Sequence, residues 1–122
     1  MIKCKRYYRF TQDTKTNLLD AKKGDIHTHY QGMNESITLL CREPITDWLL
    51  FTGVLDKNQQ EIYDQDIIKL PSRKLLVVFY NTDSIRWLAL EDNGQSHCIN
   101  TSVSLVVGNQ ALANADDSNK IK

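Results

Sequence analysis

No apolar run in this 122-residue chain approaches the ~18 residues of a membrane-crossing helix, and the opening MIKCKRYYRF has no apolar core of the kind a secretory signal carries. The expectation is a soluble, cytoplasmic protein with no membrane partner. Cysteine is scarce: Cys4, Cys41 and Cys98 stand far apart without CxxC spacing, and three is an odd number from which to build a disulfide framework. Reduced and mostly buried thiols are expected instead. GxSxG, P-loop and HExxH patterns are all missing. Cys98 does stand beside His97, but adjacent strand residues point to opposite faces, so the imidazole is badly placed to activate the thiol. An enzyme is therefore the least supported class, and no cofactor is implied.

Net charge is also absent, with 15 basic and 15 acidic side chains and a pI near 6.8. That is far from the pI above ~9 of a strongly basic nucleic-acid-binding domain. The balance conceals an asymmetry. Residues 1–23 hold seven basic and two acidic side chains (net +5), whereas residues 24–108 hold six basic and eleven acidic (net −5). The two regions complement each other, either to steer one subunit onto another or simply as two solvated faces.

What the chain does contain is short apolar runs separated by polar turn clusters about every 8–12 residues, the spacing of an all-β domain. Strands are expected over 3–10, 26–30, 36–41, 48–52, 67–70, 75–81, 85–90, 97–100 and 103–107. Leu75 to Tyr80 is apolar on both alternating faces and reads as a central strand buried on two sides, forming a hairpin with Ile85 to Leu90. Asn93-Gly94 carries the signal of a type I′ turn. Residues 11–24 read as a long polar connection or hairpin loop, QGMNE at 31–35 as a turn, and Pro44 as the mark of a subdomain boundary. The tail from Gln110 is expected to make one helical turn capped by Asn109 and then to fray.

FTGVLDKNQQEIYDQDIIKL, residues 51–70, is the most ordered stretch. Phe51-Thr52-Gly53 ends a strand at a glycine, Asp56 and Asn58 have the side chains of a turn, Ile62 and Tyr63 return to the core, and Asp66 stands where it can fix the start of the next strand. A carboxylate site of Asp56, Glu61, Asp64 and Asp66 is the alternative, but the glycine and distal glutamate of a calcium loop are missing. Asp25, His27 and His29 share one face of a strand and are a weak metal candidate, set against exposed histidines on a polar face. Lys5-Arg6-Tyr7-Tyr8-Arg9-Phe10 interleaves cations with aromatics, as a nucleic-acid stacking surface does and as a protected edge strand also does.

The 51–70 stretch resembles the signature of the YopX-like family of phage and prophage proteins, matching it at Phe51, Thr52, Gly53, Asp56, Lys57, Asn58, Glu61, Ile62, Tyr63, Asp66 and Ile67. Gln59 and Gln65 stand where the family has glycines, which removes φ > 0 freedom from both turns. Val77 to Tyr80 with Ile85 to Leu88 resembles the family's next hairpin, and Val106-Val107-Gly108-Asn109 its closing element. The resemblance implies an all-β protein with an SH3-like β-barrel at 45–109, an N-terminal β portion with a long polar loop at 1–44, a frayed tail at 110–122 and a tendency to self-assemble. It implies no activity.

The function expected is a non-enzymatic accessory module that assembles with itself and binds an unidentified host or phage macromolecule, with Lys22 and Lys23 among the subunit contacts. The alternatives are a small barrel binding nucleic acid through Lys5, Arg6, Tyr7, Tyr8 and Arg9, and an oligomer that sequesters a small molecule.

Overall fold

The structure, a computed structural model, describes residues 3–15, 20–32 and 41–120, with side chains described as far as residue 115. It is nearly all β with one short helix. Residues 36–40 of the strand expected at 36–41 and residues 33–35 of the turn expected at 31–35 lie outside the described residues. The chain divides between Leu49 and Leu50 into two compact units.

In the first unit the strands are β1 (Cys4–Phe10), β2 (Thr14–Lys15), β3 (Asp20–Ala21), β4 (Ile26–Tyr30) and β5 (Arg42–Pro44). The aromatic residues of β1 suit a pleated, half-buried surface, and the strand pairs antiparallel with β4 (Arg6 opposite His29, Tyr8 opposite His27) and with β5 (Phe10 opposite Arg42, Tyr8 opposite Pro44). Pro44 thus lies within a strand rather than at a break, which its missing N–H allows in a short strand of this kind. The segment 11–24, expected as a long connection or hairpin loop, contains the small antiparallel β2–β3 pairing of Thr14 with Ala21, which agrees with the hairpin.

The second unit continues with β6 (Leu49–Leu55, entered from the first unit), β7 (Glu61–Tyr63), β8 (Asp66–Lys69), β9 (Leu75–Asn81), β10 (Arg86–Leu90), β11 (Ser96–Cys98), β12 (Leu105–Asn109) and α1 (Gln110–Lys120). β8 to β12 form a five-stranded antiparallel sheet in the order β11-β10-β9-β8-β12, which curls into a half-barrel. Its inner face holds the core of Ile62, Ile68, Leu76, Val78 and Ala89, with Leu70, Trp87, Ile99 and Val106 packed against it. β9 is the middle strand, but it is not buried on both sides. Leu76 and Val78 are buried while Leu75 is 55% exposed, because the outer face is only partly covered.

Three hairpin loops repeat one geometry. In each, an i to i+3 turn closes on a residue with positive φ, followed by the return hydrogen bond: Asp56 to Gln60 around Gln59 (φ 67°), Leu70 to Lys74 around Arg73 (70°) and Glu91 to Gln95 around Gly94 (88°). This is a type I turn followed by a left-handed residue, so the type I′ expectation at Asn93-Gly94 is corrected: three loop residues separate the strands there, and only Gly94 is left-handed. Gly53 (φ 91°) does not end its strand either; it lies where the β6–β7 register shifts, and the strand continues to Leu55. At the far end, Asn109 Oδ1 accepts the N–H groups of Ala111 (3.0 Å) and Leu112 (3.2 Å), capping a helix of 11 residues rather than a single turn. Ala111, Leu112, Ala113 and Ala115 are strong helix formers and account for the extra length.

Candidate functional site

Asp56 and Asp66, the carboxylates of the 51–70 stretch, are occupied by the backbone. Asp56 is 3% exposed; its Oδ1 accepts the N–H groups of Asn58 (2.8 Å) and Gln60 (2.9 Å), and its Oδ2 that of Val106 (2.9 Å). Burial alone raises the carboxyl pKa, but the Val106, Gln60 and Asn58 amides outweigh it and hold the group below the usual aspartate range. Asp66 Oδ2 accepts the Tyr63 N–H (2.7 Å), and its Oδ1 accepts Asn109 Nδ2 (2.9 Å), which also donates to the Asp64 carbonyl (3.1 Å). The stretch 51–70 and the closing Gly108-Asn109 therefore meet in space, each carboxylate tying β12 to a turn. Asp64 is raised by burial above the usual range, with Asp66 adding to the shift against a hydrogen bond from the Gln65 amide. Thr52 Oγ1 donates to the Ile62 carbonyl (2.7 Å) and Phe51 packs on Tyr63 with ring centroids 5.5 Å apart, so these signature residues also build shape.

In the first unit the chemistry lies on one sheet face. Arg6 and Tyr8 of β1 share it with His27 and His29 of β4, Arg42 of β5, and Trp48. The Arg42 guanidinium lies 3.9 Å from the Tyr8 ring centroid, and that of Arg6 lies 5.8 Å from Tyr8 and 5.6 Å from Trp48. His29 meets Tyr8 (6.1 Å) and Trp48 (5.7 Å) edge-on, and His27 meets Phe10 (5.8 Å). Arg6 Nε is anchored on the Thr46 carbonyl at 2.7 Å. The face is thus a ladder of alternating cations and aromatic rings.

This geometry revises two expectations. Asp25 does not join His27 and His29 at a metal: its Oδ2 accepts the Lys22 N–H (2.9 Å) in the preceding turn, while the imidazoles pack on rings. Among the described residues no group of three His, Cys, Asp or Glu is placed to hold a metal ion. Burial and then the charge of Arg42 lower both histidine pKa values, so both rings are neutral at pH 7. The five residues expected as one contact surface, Lys5, Arg6, Tyr7, Tyr8 and Arg9, are also divided between two faces by strand alternation. Lys5 and Tyr7 are buried with the ammonium 5.2 Å from the ring, Arg9 shares their face, and only Arg6 and Tyr8 belong to the ladder. Arg42 and Trp48 were missed as site residues because nothing in their local sequence marks them; only the β1–β5 register brings Arg42 beside Tyr8.

The family model described as YopX protein matches residues 4–110, which takes in both units and the clasp between the 51–70 stretch and Asn109. The chain belongs to the YopX family. No curated protein matches it. The YopX signature positions Asp56, Asp66 and Asn109 thus serve as structural ties in this member, and Gln59 (φ 67°) and Gln65 (φ 64°) keep the left-handed backbone at positions where glycine is usual.

One further surface of this YopX chain is open. On the outer face of the second sheet, Ile67, Val77 and Leu90 lie opposite one another across β8, β9 and β10, with Leu75 beside them. Together with Arg73 and Gln110 they line a groove of about 730 Å³.

Proposed function

We propose that this YopX chain is a non-enzymatic binding module of a phage or prophage, which assembles with copies of itself and acts on a host or phage macromolecule in the bacterial cytoplasm. The observation that carries the reading is the outer sheet face, where exposed Leu75 (55%) and Leu90 (39%) join Ile67 and Val77 in a groove also lined by Arg73, Lys74, Glu91 and Asp92, with Val107 (54%) exposed on the neighbouring β12. Contiguous apolar faces of this kind mark interaction sites on soluble chains. A second copy is the occupant proposed, since the basic stretch 1–23 and the acidic stretch 24–108 complement each other between subunits, and Lys22 and Lys23 stand exposed on the turn after β3. The clasped state of Asp56 and Asp66 supports the non-enzymatic part, because those carboxylates work on the chain's own amides. We also read the second unit as an SH3-like barrel, supported by its curled sheet and the short β6–β7 hairpin that precedes it.

The test is absolute mass by light scattering on a sizing column. A multiple of 14.1 kDa is expected for the unaltered chain, and dissociation for Leu75→Glu/Val107→Glu, whose sites are exposed and tolerate charge in the folded monomer. Lys22→Glu/Lys23→Glu should weaken assembly and make it more salt-sensitive. A 14.1 kDa monomer at all concentrations refutes the reading.

The ladder of Arg6, Tyr8, Arg42 and Trp48 favours a second reading, a stacking platform for single-stranded nucleic acid. Binding of an oligothymidylate should then collapse between low and moderate salt and be lost in Trp48→Ala; salt-independent or absent binding removes this reading.

A further inference from the structure

A cavity of about 390 Å³ opens in the second unit between the β8–β9 loop, β11 and the turn before β12, and it shares Lys74 and Glu91 with the outer groove. Ile68, Leu70, Leu76 and Val103 give it apolar walls. At one side Glu91, 7% exposed, spends both oxygens: Oε1 on Lys74 Nζ (2.7 Å) and Oε2 on His97 Nε2 (2.7 Å). The hydrogen bonds from Lys74 and then His97 hold its carboxyl below the usual glutamate range, so it is ionised and offsets the ammonium. At the other side Ser104 has no exposed surface, and its hydroxyl has no hydrogen-bond partner among the described residues. Such a hydroxyl costs free energy until something satisfies it.

We propose that this cavity binds a small uncharged amphipathic molecule of the phenol class, whose apolar body fills the Ile68, Leu70, Leu76 and Val103 walls and whose hydroxyl pairs with Ser104. The ligand is uncharged because the charges that line the cavity are already matched: an anion would have to draw Lys74 from Glu91, and a cation would find both Glu91 oxygens engaged. The volume lies within the ~300–1,000 Å³ of small-molecule sites. Ser104 lines the cavity, and its N–H is held by the Asn100 carbonyl at 3.1 Å. The inference concerns residues of this unit alone.

The probe is 4-ethylphenol, titrated into the whole protein at pH 7 and followed by amide chemical shifts. Saturable shifts confined to the amides around residues 68–76, 91 and 97–104 are expected, with 4-ethylbenzoate bound at least about tenfold more weakly. Ser104→Ala should weaken 4-ethylphenol about 5–10-fold while raising the melting temperature of the free protein, because it removes an unsatisfied hydroxyl. Shifts scattered over the surface, no saturation by about 10 mM, equal binding of the benzoate, or an unchanged affinity in Ser104→Ala would each overturn the proposal. Light scattering on the same samples separates this result from the assembly reading.

Discussion

Replacing Asp56 tests whether the YopX signature works through shape. In Asp56→Ala three backbone N–H groups lose their acceptor. Asn58 and Gln60 are exposed, so water can take over there and each loss costs below about 1 kcal/mol; Val106 is half-buried, and stranding its N–H costs about 1–3 kcal/mol. The sum is roughly 3 kcal/mol, a fall of about 10–20 °C in melting temperature for a unit of this size. Asp56→Asn keeps Oδ1 for the loop but presents an NH2 to the Val106 N–H, so about 2 kcal/mol is expected from that single mismatch. The pH dependence adds a second handle. The folded pKa lies below the unfolded one, so the unfolded state binds more protons in acid. The contribution is complete above the unfolded value of ~3.9 and is lost as pH falls through the folded value. Urea titrations at pH 7 and across pH 2–5 measure both. A cost under about 1 kcal/mol for the alanine variant, or an acid limb as steep in Asp56→Asn as in the parent, would refute the clasp.

Glycine at the left-handed positions should stabilise. Gln59→Gly and Gln65→Gly are each expected to gain about 0.5 kcal/mol and Ile85→Gly about 1 kcal/mol, since Ile85 is a β-branched residue at φ 54°; denaturation midpoints that fall instead would contradict the assigned backbone. The neutral histidines predict the opposite pH sense to an ion-paired histidine. Their folded pKa values lie below the unfolded ~6.5, so stability is full above that value and declines as pH drops through it. Imidazole proton shifts should titrate below 6.5 for both rings, and Arg42→Met should raise both midpoints.

Much of the second unit could be read directly from sequence. The bounds of β9 match the expected 75–81, and β10 differs by one residue, because strand runs such as LLVVFY between turn clusters have few other solutions. Arg42-Glu43-Pro44 reads as a break in the strand pattern yet forms β5, because a proline at the end of a short strand and one at a break look alike without the pairing partner. The Asn93-Gly94 turn misled because the dipeptide serves two loop lengths, and the strand register decides between them. The cation and aromatic ladder was half visible: Arg6 and Tyr8 lie in one strand, but Arg42 and Trp48 join them through pairing and packing that no local pattern encodes. The cavity residues Lys74, Glu91, His97 and Ser104 come from four separate segments and carried no motif at all.

The last strand of the sheet has a part in how the second unit opens. β12 is the partner of β8, the holder of the Val106 N–H that meets Asp56, and the carrier of Asn109, which bonds Asp66 and caps α1. These ties share one segment, so releasing β12 severs both clasps, uncaps the helix and bares the β8 edge in a single event. The amides from Asp66 through β12 therefore exchange with solvent as one cooperative block rather than as a graded series.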